Sequence, residues 1–318
     1  MISNKAIKKF LAMPYALEMG AKKISRWWGI DEETIREARK FVRNKIREEK
    51  ELFNLTKKPN ILVFDIETSP MEAYVYQKSV WRANISDDMI MAQWFMLSWS
   101  AKFLGNEINM SNVLTPQEAL DQDDERITKN IWKVLDEADI VISHNGLHFD
   151  TPNLNTRFLA HGLPPVSPYQ HIDTLTVARK QFGFTHNSLN AIAKFLNLDP
   201  KVETGGFSLW VKCKHGDPEA LAHMEFYNKH DVDLLELVYL KLRPWIKGHP
   251  NVGLFLEEDH PVCPNCGSDK MHSTHKYYYT TVSKFDTLRC ENCGGIARTR
   301  VSEYPKELRK NLIVPMYR

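Results

Sequence analysis

Ile61-Leu62-Val63-Phe64-Asp65-Ile66-Glu67-Thr68 begins as a short β-prone apolar run and ends with two acids. Its first half reads as a strand buried on both faces. In an extended chain alternate residues share a face, so Asp65 and Glu67 point the same way while Ile66 enters the opposite layer. Carboxylates in such a setting are costly to bury unpaired, and a divalent cation held between several of them removes the cost. Two further acids stand in comparable places. Asp150 closes His144-Asn145-Gly146-Leu147-His148-Phe149-Asp150 and would open a helix just beyond the apolar run Ile140-Val141-Ile142. Asp231 lies four residues after Tyr227, which puts the two on one helical face. Four carboxylates and a tyrosine therefore predict a metal-dependent site.

Around these segments the pattern predicts an α/β layered domain from residue 59 onward. Met91 to Phe103 suits a strand or strand pair, Asp124 to Ala138 a helix, and Asp139 to Ser143 a buried strand. A helix follows to about Ala160, stopped by Gly162 and Pro164-Pro165. His171-Ile172-Asp173 leads into a helix near Thr174–Phe182, and Ser188–Leu196 has helical apolar spacing. Asp217 caps a helix beginning at Pro218 and running to about Leu242.

In order and at ordinary spacing, Asp65-Ile66-Glu67-Thr68, Asn145-Gly146-x-x-Phe149-Asp150 and Tyr227-x-x-x-Asp231 resemble the three exonuclease motifs of the DEDD superfamily, in its tyrosine subclass. The likeness is to the proofreading domain of family B DNA polymerases and its stand-alone, often phage-encoded relatives, over roughly residues 59–245. A histidine subclass places its histidine five residues before the last aspartate, where this chain has Phe226. The resemblance implies an RNase H-like mixed sheet flanked by helices, and metal-dependent 3′–5′ hydrolysis of single-stranded ends to nucleoside monophosphates. It implies two Mg²⁺ or Mn²⁺ ions, with Asp65 bridging both, Glu67 and Asp231 completing one site and Asp150 serving the other partly through water. By the same likeness Tyr227 orients the attacking water, while Thr68, Asn145 and Phe149 contact or wedge the terminal nucleotide. Two rival readings are a structure-specific endonuclease on the same fold and a nucleic-acid-binding regulator without catalysis.

Other residues near the motifs carry less. Asp173 reads either as a helix N-cap or as an acid supporting the site, with the cap favoured. His144 and His148 read as structural. Lys201 to Gly206 is a loop near the substrate backbone or only a turn.

Cys263-Pro264-Asn265-Cys266 and Cys290-Glu291-Asn292-Cys293 form two Cys-x-x-Cys knuckles. Four thiolates so paired suit a closed tetrahedral Zn²⁺ site and resemble a zinc ribbon. Two disulfides or a redox pair are the alternatives, disfavoured by the cytoplasmic setting expected for the chain. Four protein ligands would leave the zinc no open position, so the site is structural. Tyr277-Tyr278-Tyr279 and nearby Arg289, Arg298 and Arg300 either stack bases and neutralise phosphates or merely cover a small core. Cys213 reads as an inert thiol.

Residues 1–58 are helical in pattern. A helix ending at Gly29, an N-cap at Asp31 and a second helix with apolar Ile35, Ala38, Phe41 and Val42 look like a helix-turn-helix unit. A small packing element with a solvated basic face is the alternative. Three parts result: 1–58, a nucleic-acid-binding module and linker; 59–250, the exonuclease domain; 251–318, the zinc ribbon and tail.

The 318 residues, 43% hydrophobic and 26% charged, have the composition of a soluble globular protein. No apolar run approaches the ~20 residues of a membrane span, and the apolar start, broken at Pro14, lacks a convincing signal-peptide pattern. The net charge of +2 hides a division. Residues 1–58 hold 15 Lys and Arg against 8 Asp and Glu, residues 260–318 hold 10 against 5, and the middle holds 17 against 27. Basic ends would attract a polyanion, while the acidic centre needs cations to admit one. The partner expected is nucleic acid, single-stranded DNA favoured and RNA possible, with no membrane.

Overall fold

The computed structural model describes residues 3–13, 19–54, 58–76, 85–198, 205–256, 258–314 and 316, except for the side chains of residues 4, 11, 12 and 44–54. The chain forms two compact units, Met1–Lys58 with Phe255–Glu257, and Pro59–Leu254 with Glu258–Arg318. No helix among the described residues is long and apolar enough to cross a membrane.

In the first unit α1 (Asn4–Ala12) and α2 (Ala21–Trp28) pack on α3 (Glu32–Asn54). Gly29 ends α2 in the left-handed region, where its missing Cβ avoids a steric penalty. Asp31 then caps α3 by accepting from Thr34 N–H at 2.8 Å. Phe10, Ile24, Trp28, Ile35, Ala38 and Val42 close the small core, with the Phe10 and Trp28 rings edge to face at 4.8 Å. Phe41 departs from the expected apolar stripe. It is exposed, because Ile35, Ala38 and Val42 already fill the three-four spacing of the buried face.

The second unit is built on a mixed five-stranded sheet. Its central strand β1 (Ile61–Thr68) is followed by a two-stranded ribbon, β2 (Glu72–Ala73) and β3 (Ile90–Ala92), then by β4 (Met96–Phe103) and β5 (Met110–Val113). After α4 (Pro116–Asp121) and α5 (Glu125–Asp136) come β6 (Ile140–Ser143), α6 (Asp150–Ala160), β7 (Gln170–Asp173) and α7 (Thr174–Gln181). The order across the sheet is β5-β4-β1-β6-β7. β4 runs antiparallel to β1, whereas β6 and β7 run parallel to it. α8 (Leu189–Phe195), α9 (Ser208–Lys214) and the long α10 (Pro218–Leu242) complete the layers. Asp217 caps α10 by accepting from Glu219 and Ala220 N–H. α10 packs across β1 and β4.

Leu62, Phe64 and Ile66 are buried in the main core with Met96, Leu97, Trp99, Ile127, Ile131 and Val141. Each large side chain so buried contributes about 1.5–3 kcal/mol relative to exposure. That burial holds β1 in register, with Asp65 opposite Ser100 and Glu67 opposite Ser98. Both acids consequently emerge together on the side covered by α10. In parallel sheets the carboxyl ends of strands are where ligand sites form, and those of β1 and β6 lie side by side here.

Cys263 and Cys266 precede a separate three-stranded sheet of β8 (Met271–Tyr279), β9 (Lys284–Cys290) and β10 (Ile296–Arg298), in the order β10-β9-β8, with Cys290 ending β9 and Cys293 between β9 and β10. The knuckle before the sheet is moored to the end of α10, where Asn265 Nδ2 donates to Arg243 O at 3.2 Å, and to the segment that follows α10, where Val252 N–H donates to Pro264 O at 2.8 Å.

Candidate active site

β1 and α10 bring together Asp65, Glu67 and Asp231, which offer carboxylate oxygens all within 4.8 Å of one another. Asp231 is buried and the two strand acids are half-buried. Three hard oxygen donors from two rigid elements match the donor chemistry of Mg²⁺ or Mn²⁺. Tyr227, one turn before Asp231, hydrogen-bonds to it. Burial first, then the charges of Asp231, Glu67 and Asp65, push the Tyr227 phenol far above its ordinary pKa. It therefore stays a neutral O–H near neutral pH.

Asp150 is not one of that trio. It opens α6 and is buried, and its Oδ1 accepts from Ile66 N–H at 3.1 Å, between the two strand acids. This carboxylate is engaged with the β1 backbone and is not in the 4.8 Å group. Burial pushes its carboxyl up to about 7; the bond from Ile66 N–H pulls the other way and nearby Asp173 adds to the rise. In protein without divalent cations the fold thus favours neutral Asp150. That contribution is fully present below the unfolded value near 3.8 and is lost as pH rises through about 7. Asp150→Asn retains an acceptor for Ile66 N–H. Without divalent cation it is expected to raise the melting temperature at about pH 8, by roughly 2–4 °C per kcal/mol regained, and to change little at about pH 4. Calorimetry at the two pH values checks this, and equal melting at the higher one would contradict it.

The loop before α6 is held from behind. Asp173 accepts from Asn145 and Leu147 N–H, both at 3.2 Å, and from Thr176 N–H at 3.1 Å. It is the N-cap of α7 and the support of the second motif at once. Asn145 sits at φ +73°, a left-handed conformation that asparagine tolerates better than most residues. Gly146 is packed so closely that a Cβ would lie 2.1 Å from Ser143 Oγ. Leu147, His148 and Phe149 are exposed on the outer side of this loop. Thr68, at the end of β1, is half-buried. His144 bonds to Thr174 Oγ1 and Asn187 O, a structural role.

Two residues that the motif pattern passes over orient the acids. Asn228 Nδ2 donates to Asp65 Oδ2 at 2.8 Å, and Trp210 Nε1 donates to Glu67 Oε2 at 2.8 Å. The Trp210 ring meets Tyr227 edge to face at 6.1 Å. Asn228 had a legible signal in its position, next to Tyr227 inside the Tyr227-x-x-x-Asp231 segment, and once fully buried its amide must find partners. Trp210 had none, because only the fold carries α9 to β1. Residues 201–204 of the Lys201–Gly206 loop lie outside the described residues. Cys213 is buried, and burial followed by the charges of Asp217 and Glu67 pushes its thiol up to about 12, so it is inert.

The knuckle cysteines form a second cluster, all four sulfurs within 4.8 Å. Cys263 Sγ lies 3.6 Å from Cys293 Sγ, as does Cys266 Sγ from Cys290 Sγ. Tetrahedral ligands at about 2.3 Å from zinc would stand roughly 3.8 Å apart, and a disulfide needs about 2.05 Å. The four thiols are free and fit a single zinc ion. Tyr277, Tyr278 and Tyr279 are exposed rather than covering a core.

The RNase H superfamily model matches residues 62–243, more than half the chain and every acid of the site. The chain belongs to the RNase H superfamily. Membership supports a nuclease-type activity and a fold suited to divalent metals. Among solved structures, the family B DNA polymerase from the hyperthermophilic archaeon Pyrobaculum calidifontis is similar, with 16% identity and a TM-score of 0.43. That match covers 62% of this chain and 25% of the polymerase, so the chain spans a quarter of it. No curated protein matches significantly.

Proposed function

We propose that the chain is a metal-dependent 3′–5′ exonuclease that trims single-stranded nucleic acid, DNA foremost, to nucleoside monophosphates. The convergence of Asp65, Glu67 and Asp231 next to Tyr227 carries the reading, and the likeness of the three motifs to those of 3′–5′ exonucleases supports the polarity. Divalent cations held by these acids, with Asp150 alongside, would supply activation of water and neutralisation of phosphate charge. The protein's own residues position the reactants. Tyr227, kept protonated, offers a hydroxyl to orient the attacking water. Asn228 and Trp210 fix the rotamers of Asp65 and Glu67. Phe149, which is exposed, is proposed to wedge the terminal base, with Asn145 and Thr68 contacting the terminal nucleotide. The cysteine cluster is proposed to hold one structural Zn²⁺, and the helical module of residues 1–58 to add nucleic-acid affinity.

The test is digestion of end-labelled linear single-stranded DNA and RNA, with Mg²⁺, Mn²⁺ or chelator, beside a circular strand. Stepwise loss from the 3′ end with the circle intact is expected. A cut circle would instead identify an endonuclease, and no cutting under any metal a binding protein. Tyr227→Phe is expected to lower kcat by about 10²-fold, the lower end of what a positioned proton-handling group contributes, with little change in KM. An unchanged kcat would remove Tyr227 from the role.

A further inference from the structure

The cysteine sheet and the catalytic layers enclose a groove that leads away from the second motif. Its inner part, a cavity of about 150 Å³, begins at Leu147 and Asp173 and passes Lys180 and Lys247. Its outer part, about 670 Å³, runs between Trp245 and the β10 edge with Arg298 and Arg300. Gln181, Ile246, Lys247 and Gly248 line both parts, so the two adjoin.

The lining is chemically one-sided. Lys180, Lys247, Arg298 and Arg300 are exposed cations. The carboxylate among the described lining residues is Asp173, buried and engaged by three backbone N–H groups. Arg298 is held against the Phe285 ring at 4.2 Å and the Tyr278 ring at 5.4 Å, which fixes a guanidinium beside the groove. Trp245 is 64% exposed yet braced edge to face by Phe182 at 5.9 Å. Spaced cations plus a braced, solvent-facing indole are what a sequence-tolerant single strand requires: charges for phosphates and a face for a base. The inner end meets the loop that Asp173 ties to the active site.

We propose that this groove carries the part of a single-stranded nucleic acid that trails away from the cleaved end. Lys247, Arg298 and Arg300 neutralise its phosphates and Trp245 stacks a base. The proposal rests on the nuclease reading for its direction, and the cysteine sheet becomes part of the substrate path as well as a folded appendage.

The experiment uses the full chain and oligothymidylates of about 30 and about 4 nucleotides, the longer exceeding the ~4–16 nucleotides that one binding element covers. Affinity is read by fluorescence anisotropy over a salt series without added divalent cation, and turnover of the same strands is measured with Mg²⁺. Lys247→Ala/Arg298→Ala/Arg300→Ala is expected to lower the slope of log affinity against log salt by about 2 for the long strand, about 0.7 for each phosphate no longer neutralised. The advantage of the long strand over the short one should shrink with it. Zinc content and melting temperature report whether the triple variant is folded; if it is not, Lys247→Ala alone should lower the slope by about 0.7. An unaltered slope and length preference in a folded variant would overturn the groove. Binding that follows the expected pattern without any turnover would instead overturn the nuclease reading and leave the groove standing.

Discussion

Asp65→Ala is expected to reduce hydrolysis by at least about a thousandfold, because losing the charge stabilisation a metal site provides costs several kcal/mol of barrier. Asp65 joins β1 to α10 at the site. It shares an oxygen cluster with Glu67 and Asp231, accepts from Asn228, and its charge is among those that lift the Tyr227 phenol. Folding should change little. Asp65 is half-buried, its backbone stays paired with β4, and Asn228 Nδ2 keeps the Asp65 carbonyl at 3.4 Å. Loss of the bond from Asn228 Nδ2 to Asp65 Oδ2 costs about 1 kcal/mol. Asp65→Asn separates charge from shape: it preserves volume while removing the anion. If both variants melt like the parent and both fail on end-labelled strands, charge is the cause. Turnover by Asp65→Ala at the parental rate would remove the acid cluster from the chemistry.

The sequence makes some of this plain and hides the rest for identifiable reasons. β1 and β6 stand out as dense apolar runs because both faces are covered. α10 is legible at its cap, Asp217-Pro218, and along the face bearing Tyr227 and Asp231. β7 is not, since Gln170–Asp173 offers four residues that lead straight into a helix whose cap is the last of them. β5 escapes too: Met110–Val113 is an edge strand with every residue half-buried, so no alternation marks it. The two rivalling roles of Asp173 prove compatible, because a carboxylate has two oxygens and its neighbours supply three N–H groups. The separation of Asp150 from the other acids could not be read from spacing, since its partner is a backbone N–H remote in sequence.

Gly146→Ala is expected to be the most damaging substitution outside the acids. A Cβ there would meet Ser143 Oγ at 2.1 Å, Ser143 Cβ at 2.5 Å and Asp150 Oδ2 at 3.3 Å. The first two distances are well inside van der Waals separation, and neither atom can yield easily. Ser143 ends β6, paired with Asp173 on β7, and its hydroxyl is engaged with His171 Nε2 at 2.7 Å. The loop must therefore move, at a cost of about 1–3 kcal/mol for overpacking. It carries Asn145, Phe149 and Asp150 with it, and Asp150 loses its alignment with Ile66 N–H. A displacement of about 1 Å at such a loop can cost about 10²-fold in rate, so activity should fall further than stability. The compensating change is Ser143→Gly, which removes both clashing atoms. Gly146→Ala alone should melt lower and hydrolyse slowly, and Ser143→Gly/Gly146→Ala should recover a measurable part of the rate even without the hydrogen bond to His171. Parental activity in Gly146→Ala would show that the close approach of these two segments has no bearing on the geometry of the acids.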